Sequence, residues 1–526
     1  MKLNISSIKD RAAWEKYGIG LPRYSIDEMR EETKKNPEWV HFGAGHIFRG
    51  FIGSINQSLL NNGLTKTGII AVETFDFDVI DSIYDAYDNL TLSVIMDADS
   101  NLTTEVLAGI AEGVKASDID YLRSIFAKPS LKMFSYTITE KGYAVTGTDG
   151  ALTSLAAADI ENGPSSPCHA MSITAALLYH RYQNGAYPIA AVSMDNCSHN
   201  GEKLRSAVIT IAEGWAANGF VDFGFIDYLN SKVSFPWSMI DKITPRPSDK
   251  VKSQLDAMGI EDMEPVITSK GTYIAPFVNA EAAQYLVIED DFPNGRPALE
   301  KAGVFMTDRE TVNKSETMKV TTCLNPLHTA LAVYGCLLGF TSIWEEMADN
   351  DLNRLVRGIA AEGIRVVVNP GIIDPEKFVR EVIEDRLPNP NIPDMPQRIA
   401  TDTSQKVGIR FGETIRSYMK SDTLDVKDLK SISKAIAGWL RYLMAVDDNG
   451  NAFERSSDPL LDELDKKLAG IEFGNPGTAD GRLHDVLSDP VIFGVNLYEA
   501  GIAGMIEEYF KDMLKGPGAV RALLSE

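Results

Sequence analysis

A short apolar run, Trp39–Phe42, stops at Gly43 and Gly45, and a helical pattern takes over across Ile47–Leu60. Strand, tight turn and helix in that order form the opening unit of a dinucleotide-binding fold. The glycines let the backbone approach a pyrophosphate, and the helix N-terminus offers it unpaired N–H groups. Arg49, one turn into the helix, can add a cation to the same phosphates. The third glycine of the full GxGxxG signature is replaced by Phe48, so an ordinary glycine turn stands as the plainer alternative. The next apolar strand, TGIIAVETF, ends at Glu73. A carboxylate there accepts hydrogen bonds from a ribose diol and repels a 2′-phosphate, which favours NAD over NADP. Asp76 competes for that role.

The 526 residues exceed what one core usually organises, so two domains are expected. Strand patterns are frequent up to about Pro297, and long amphipathic helical runs follow at 326–348, 351–369, 405–419, 427–446 and 491–514. The fold class is therefore α/β: an N-terminal Rossmann-type domain, placed at 1–283, then a mainly α-helical domain at 284–526. A net charge of −23 without a basic tract argues against nucleic acid or an anionic membrane as partner. A small-molecule substrate is expected, and an anionic one stays open because a few local cations override the global sign. The four cysteines have no CxxC spacing, and the histidines do not pair at metal spacing, so no metal site is expected. No apolar run marks the first residues and none reaches the ~20 residues of a membrane span, so the cytoplasm is the expected location.

Two later stretches carry chemistry. PIAAVSMDN is an apolar strand that stops at Asp195–Asn196, and ligands in open α/β sheets sit off the carboxyl ends of strands. Asn196 and Asn200 are placed for a site, with an Asx turn before the following helix as the alternative. ETMKVTTCLNPLHTALAVYGCLLGF sets Lys319, Asn325 and His328 at the mouth of an apolar helix. Oxidising an alcohol without a metal needs a base, and a lysine with a lowered pKa can serve. Asparagine amides steady a developing oxyanion, and a histidine can bond a substrate hydroxyl. Against this, Asn325-Pro326 also reads as an N-cap and N1 pair. Asp241, ahead of Lys242, also reads as a paired charge.

The motifs GAGHIFR (43–49), TITEKGY (137–143), SMDNCSHNG (193–201), FPWSMIDKITP (235–245), YLVIEDDFPNGRP (285–297) and ETMKVTTCLNPLHTALA (316–332) together resemble the polyol-specific long-chain dehydrogenases/reductases, the mannitol dehydrogenase family. The resemblance runs from about Val40 to the C-terminus. It implies a Rossmann-type domain and a helical domain with the active site between them, NAD(P) as cofactor and no metal. It implies that Lys319 is the general acid/base, that Asn196 and Asn325 hold the substrate oxygen, and that His328 binds substrate. Glu316 and Asp241 match acids that help the proton reach solvent, and Arg398 and Lys406 match cations at the far end of the substrate. Gly43, Gly45 and Arg49 match the cofactor turn, and Glu73 the ribose-selecting region. CLNPLHTALA is nearer the uronate-handling branch, which implies interconversion of D-fructuronate and D-mannonate with NAD. Tagaturonate reduction, mannitol 2-oxidation and an epimerase that retains NAD are the alternatives. The lysine-to-asparagine spacing is one residue longer than the mannitol-type pattern, and a proline follows. An extra residue there predicts a local bulge or a later helix start.

Overall fold

In a computed structural model of the chain, residues 1–97, 101–147 and 150–526 are described. The chain divides into two compact units, Met1–Asn313 and Lys314–Glu526. The division falls later than the sequence suggests. The strand Tyr285–Glu289, taken there to open the second domain, pairs antiparallel with Ser238–Asp241 and parallel with Phe305–Thr307. Those ladder bonds keep it in the first unit.

The centre of the first unit is a parallel sheet of six strands: β1 (Trp39–Phe42), β2 (Ile69–Glu73), β3 (Ile110–Lys115), β4 (Met133–Tyr136), β5 (Ile189–Ser193) and β6 (Val233–Ser234). Their spatial order is β3-β2-β1-β4-β5-β6, the order of a doubly wound dinucleotide fold. The strands are apolar at nearly every position because both faces are covered. Val40, Phe42, Ile70, Val72, Phe134 and Tyr136 join one core cluster, whereas Trp39, Ile69, Ala71 and Met133 join the other. That alternation is the two-residue period of a strand acting on both layers. His41, which points inward, is satisfied by Ser135 Oγ at 2.6 Å and Thr137 Oγ1 at 2.8 Å.

The helix after β1 opens with a π-turn at Phe48–Ile52 before α1 (Gly53–Asn61). Helices α2 (Ala170–Gln183) and α3 (Asn200–Ala217) flank β5 in the chain. A separate three-stranded sheet places Thr91–Met96 between Leu102–Leu107 and Phe277–Ala280.

The chain then runs through α4 (Arg309–Met318), a π-turn at Lys319–Cys323, and α5 (Asn325–Leu338). In the second unit α5 is almost wholly buried, packed against α6 (Asn350–Ile364), α7 (Lys430–Leu443) and the short helix Pro396–Ile399. Gly438 lets α7 come this close: a Cβ there would lie 2.5 Å from the Tyr334 ring, whose hydroxyl donates to Lys434 O. The last long helix is α8 (Ala503–Met513), which packs on α7. No described helix is long and apolar enough to cross a membrane.

Candidate active site

In the first unit the carboxyl ends of β1, β2, β4 and β5 gather the residues of interest, around the point where the strand order reverses between β1 and β4. Gly43 takes φ +103, and a Cβ on it would lie 2.1 Å from Thr137 O, so only glycine fits. Around Gly45 nothing lies within 4 Å of a Cβ position. That open side is what a cofactor's close approach requires. His46 follows, with a buried Nε2 that has no partner. Burial, then Arg49 and Arg246, push its pKa down to about 3, so the ring is neutral. An open glycine turn with an orphaned ring nitrogen fits a dinucleotide.

Glu73 Oε2 accepts from Ala44 N of that turn at 3.1 Å, while Oε1 gathers the N–H groups of Thr74, Phe75 and Asp76. The carboxylate is fixed at the end of β2 with acceptor capacity left on Oε2. Its rival Asp76 is buried and accepts the hydroxyls of Thr268 and Thr272. Arg49 is fully buried. Its Nε donates to Thr91 Oγ1 at 3.2 Å and its Nη2 to Ala275 O at 2.7 Å, while Nη1 has no partner. The expected phosphate cation is thus anchored inward, joining the π-turn to the second sheet.

At the end of β5, Asn196 is exposed and Asn200 is buried. Asn200, expected at the substrate, is tied into the turn by its own amide. Its amide donates to Asp195 O at 2.9 Å and to Ser238 O at 3.0 Å, and accepts from Ser238 N at 3.0 Å. Every polar atom is committed, and the result is a fixed turn that carries Asn196. Asp241 ends its strand buried, opposite Tyr285. The sequence reading missed Asp195. Its Oδ2 accepts from Ile138 N at 3.0 Å and from the Tyr143 hydroxyl, which also meets Ser193 Oγ at 2.8 Å. Burial raises Asp195 to about 7 against those two hydrogen bonds. The signal available was Tyr143 in TITEKGY, but only the fold brings it to Asp195.

In the second unit Lys319 is 2% exposed and opens the π-turn, with Glu316 one turn earlier on α4. Leu324 N donates to Lys319 O at 3.1 Å, the i→i+5 bond that absorbs an added residue. The expected bulge is therefore present. Leu324, not Asn325, is the cap residue, and Asn325 is the first residue of α5 without capping it. His328 lies one turn on, its Nε2 2.9 Å from Asp394 Oδ2, with the ring N–H direction off that oxygen. Arg398 Nε donates to Asp394 Oδ1 at 3.1 Å. Burial pushes the Asp394 carboxyl up, but His328 and Arg398 outweigh it and hold the group below its ordinary value. Lys406 donates to Thr401 O, and Arg410 to Thr329 Oγ1, the residue after His328. Asp394 and Arg410 were not singled out in the sequence, because their neighbours on α5 lie many residues away.

A doubly wound sheet with an open glycine turn, followed by a helical unit holding a buried lysine and a histidine–carboxylate pair, suits a dinucleotide-dependent oxidoreductase, and its relatives place the chain among those acting on CH–OH groups of sugar acids or polyols. The chain belongs to the mannitol dehydrogenase family, with residues 37–301 matching the mannitol dehydrogenase Rossmann domain and residues 311–514 the C-terminal domain. It is 53% identical to a D-mannonate oxidoreductase of Thermotoga maritima, over 100% of this chain and 99% of that one. A polyol:NADP oxidoreductase of Gluconobacter oxydans is 28% identical over 86% of this chain and 88% of its own. Among solved structures, the ternary complex of Pseudomonas fluorescens mannitol 2-dehydrogenase with NAD and D-mannitol is similar, with TM-score 0.73 and 25% identity over 100% of this chain and 99% of that one. A substrate-free D-sorbitol dehydrogenase gives TM-score 0.80 and 25% identity over 97% of both chains.

Proposed function

We propose that this protein interconverts D-fructuronate and D-mannonate with NAD. The observation that carries the reading is the end-to-end 53% identity to a D-mannonate oxidoreductase. Gly43, Gly45 and Glu73 would hold the dinucleotide, and the bound cofactor supplies or accepts the hydride. Lys319 gives its proton to the ketone oxygen during reduction and takes it back during oxidation. Lys319 is almost wholly buried where the π-turn begins, and a lysine held in place can exchange a proton with substrate without a metal. The amides of Asn196 and Asn325 steady that oxygen as charge develops. His328, kept in place by Asp394, bonds a substrate hydroxyl. Glu316 and Asp241 pass the proton toward solvent. Arg398 and Lys406 face the carboxylate end.

The test is a panel of fructuronate, tagaturonate and fructose with NADH, followed by nicotinamide absorbance. Fructuronate is expected to give the highest kcat/KM, and net NADH consumption separates this reading from an epimerase that recycles its cofactor. Lys319→Ala is expected to lower kcat by about 10²- to 10⁴-fold at neutral pH. Retention of most of the turnover in that variant would remove the lysine mechanism.

A further inference from the structure

Three basic side chains gather along the N-terminal half of α5, and they are not equivalent. Arg398 is 68% exposed on its side chain and is already neutralised by Asp394. Lys406 is partly buried, with its amine on Thr401 O, and Asp402 and Asp458 lie near enough to favour its charge. Arg410 is partly buried too, but it has no carboxylate partner among the described residues, and its one hydrogen bond goes to a neutral hydroxyl, Thr329 Oγ1. Burial alone lowers its pKa, to about 10, and it remains a cation at any working pH. Arg410 in turn lowers Lys406, after burial itself.

The position is also rigid. Arg410 sits in the π-turn Gly408–Gly412, whose two glycines lie directly on the backbone of the 492–494 turn. A Cβ on Gly408 would meet Ile492 O at 2.7 Å, and one on Gly412 would meet Phe493 O at 1.8 Å. A guanidinium removed from water is ordinarily paired, because leaving it uncompensated is costly. Two like charges side by side raise that cost, and a bound anion relieves it.

We infer that Arg410 is the specificity-determining residue for the carboxylate of the substrate, with Lys406 beside it, while Arg398 chiefly positions Asp394 and His328. The inference rests on the reading that the substrate is a sugar acid, and it names the group that selects it over an uncharged ketose. Its planar fork matches a carboxylate in two parallel bonds. Its low exposure makes that charge count for more than that of the exposed, paired Arg398.

The test compares Arg410→Gln and Thr329→Val with the parent, full-length enzyme, using fructuronate and fructose as ketone substrates and calorimetric binding of D-mannonate and D-mannitol. Arg410→Gln is expected to lose about 100-fold in kcat/KM on fructuronate and less than about threefold on fructose, the range for removing one partner of a desolvated charge pair. Thr329→Val keeps the charge and is expected to stay within about threefold on both. Equal losses of Arg410→Gln on both substrates, or none, would overturn the inference and leave a brace for α5. If the Gln variant fails to fold, Arg410→Lys serves the same comparison: a loss confined to the acid supports the inference, and a shared loss or none overturns it. If the parent enzyme does not reduce fructuronate, the proposed activity fails by itself. D-mannonate binding that is lost in Arg410→Gln would still sustain the anion site, and binding that is unchanged or absent would end it.

Discussion

Asp195 shows how one side chain ties pH to stability. Its pKa in the folded chain is about 7, against about 3.9 for an aspartate in an unfolded one. The folded state therefore holds the proton more tightly, and the stabilisation is complete below about pH 4. It declines as pH rises toward 7 and is gone above that, a loss on the order of a few kcal/mol. Asn at this position is isosteric with the protonated acid and can still accept from Ile138 N and the Tyr143 hydroxyl. Asp195→Asn should therefore match the parent near pH 3.5 and exceed its stability near pH 8, as read by urea unfolding at both values. A variant that is less stable at the higher pH would show that the ionised carboxylate is preferred there. Single residues were legible in the sequence only where their role is local. Lys319 and His328 announce themselves by standing at the mouth of an apolar helix. Asn200 does not reveal that Ser238 saturates it, and His328 does not reveal Asp394, because those partners come from the fold.

At the scale of elements, the local grammar was readable and its departures were informative. The strand–glycine–helix start of the first unit follows from Trp39–Phe42 and Gly43, since φ +103 and the nearness of Thr137 O admit no side chain. The extra residue between Lys319 and Asn325 becomes a π-turn rather than a late helix start, because Leu324 N can still reach Lys319 O. What the spacing could not show is which residue caps α5, since a π-turn shifts the cap by one, to Leu324. The turn also sets the phase of the helix. Inserting one alanine after Val320 would exceed what the π-turn absorbs and rotate α5 by about 100° relative to Lys319. His328 would then leave Asp394. The insertion is expected to preserve helical circular dichroism and lower kcat/KM by at least about 100-fold, because misplaced reacting groups lose the benefit of orientation. Near-parent turnover in the insertion variant would show that the π-turn does not set the geometry.

For the whole molecule, the sequence conveyed the change from a sheet-based unit to a helical one, but not where the first unit ends. Tyr285–Glu289 reads equally well as the start of a new domain, and only its pairing with Ser238–Asp241 assigns it. That assignment puts the entire nucleotide-type sheet and its glycine turn inside Met1–Asn313. A ligand that binds the folded chain and not the unfolded one stabilises it by mass action, by about 2.7 kcal/mol at a hundredfold excess over its Kd. NADH should accordingly raise the thermal midpoint of the full-length protein. NADPH at the same concentration should raise it less, because the Glu73 carboxylate, tied to Ala44 N beside the turn, repels a 2′-phosphate. In Gly43→Ala, the Cβ is forced against Thr137 O, so the unliganded midpoint should fall and the NADH shift should shrink with it. Equal shifts for the two cofactors would remove Glu73 from ribose selection. An undiminished NADH shift in Gly43→Ala would move the cofactor away from this turn.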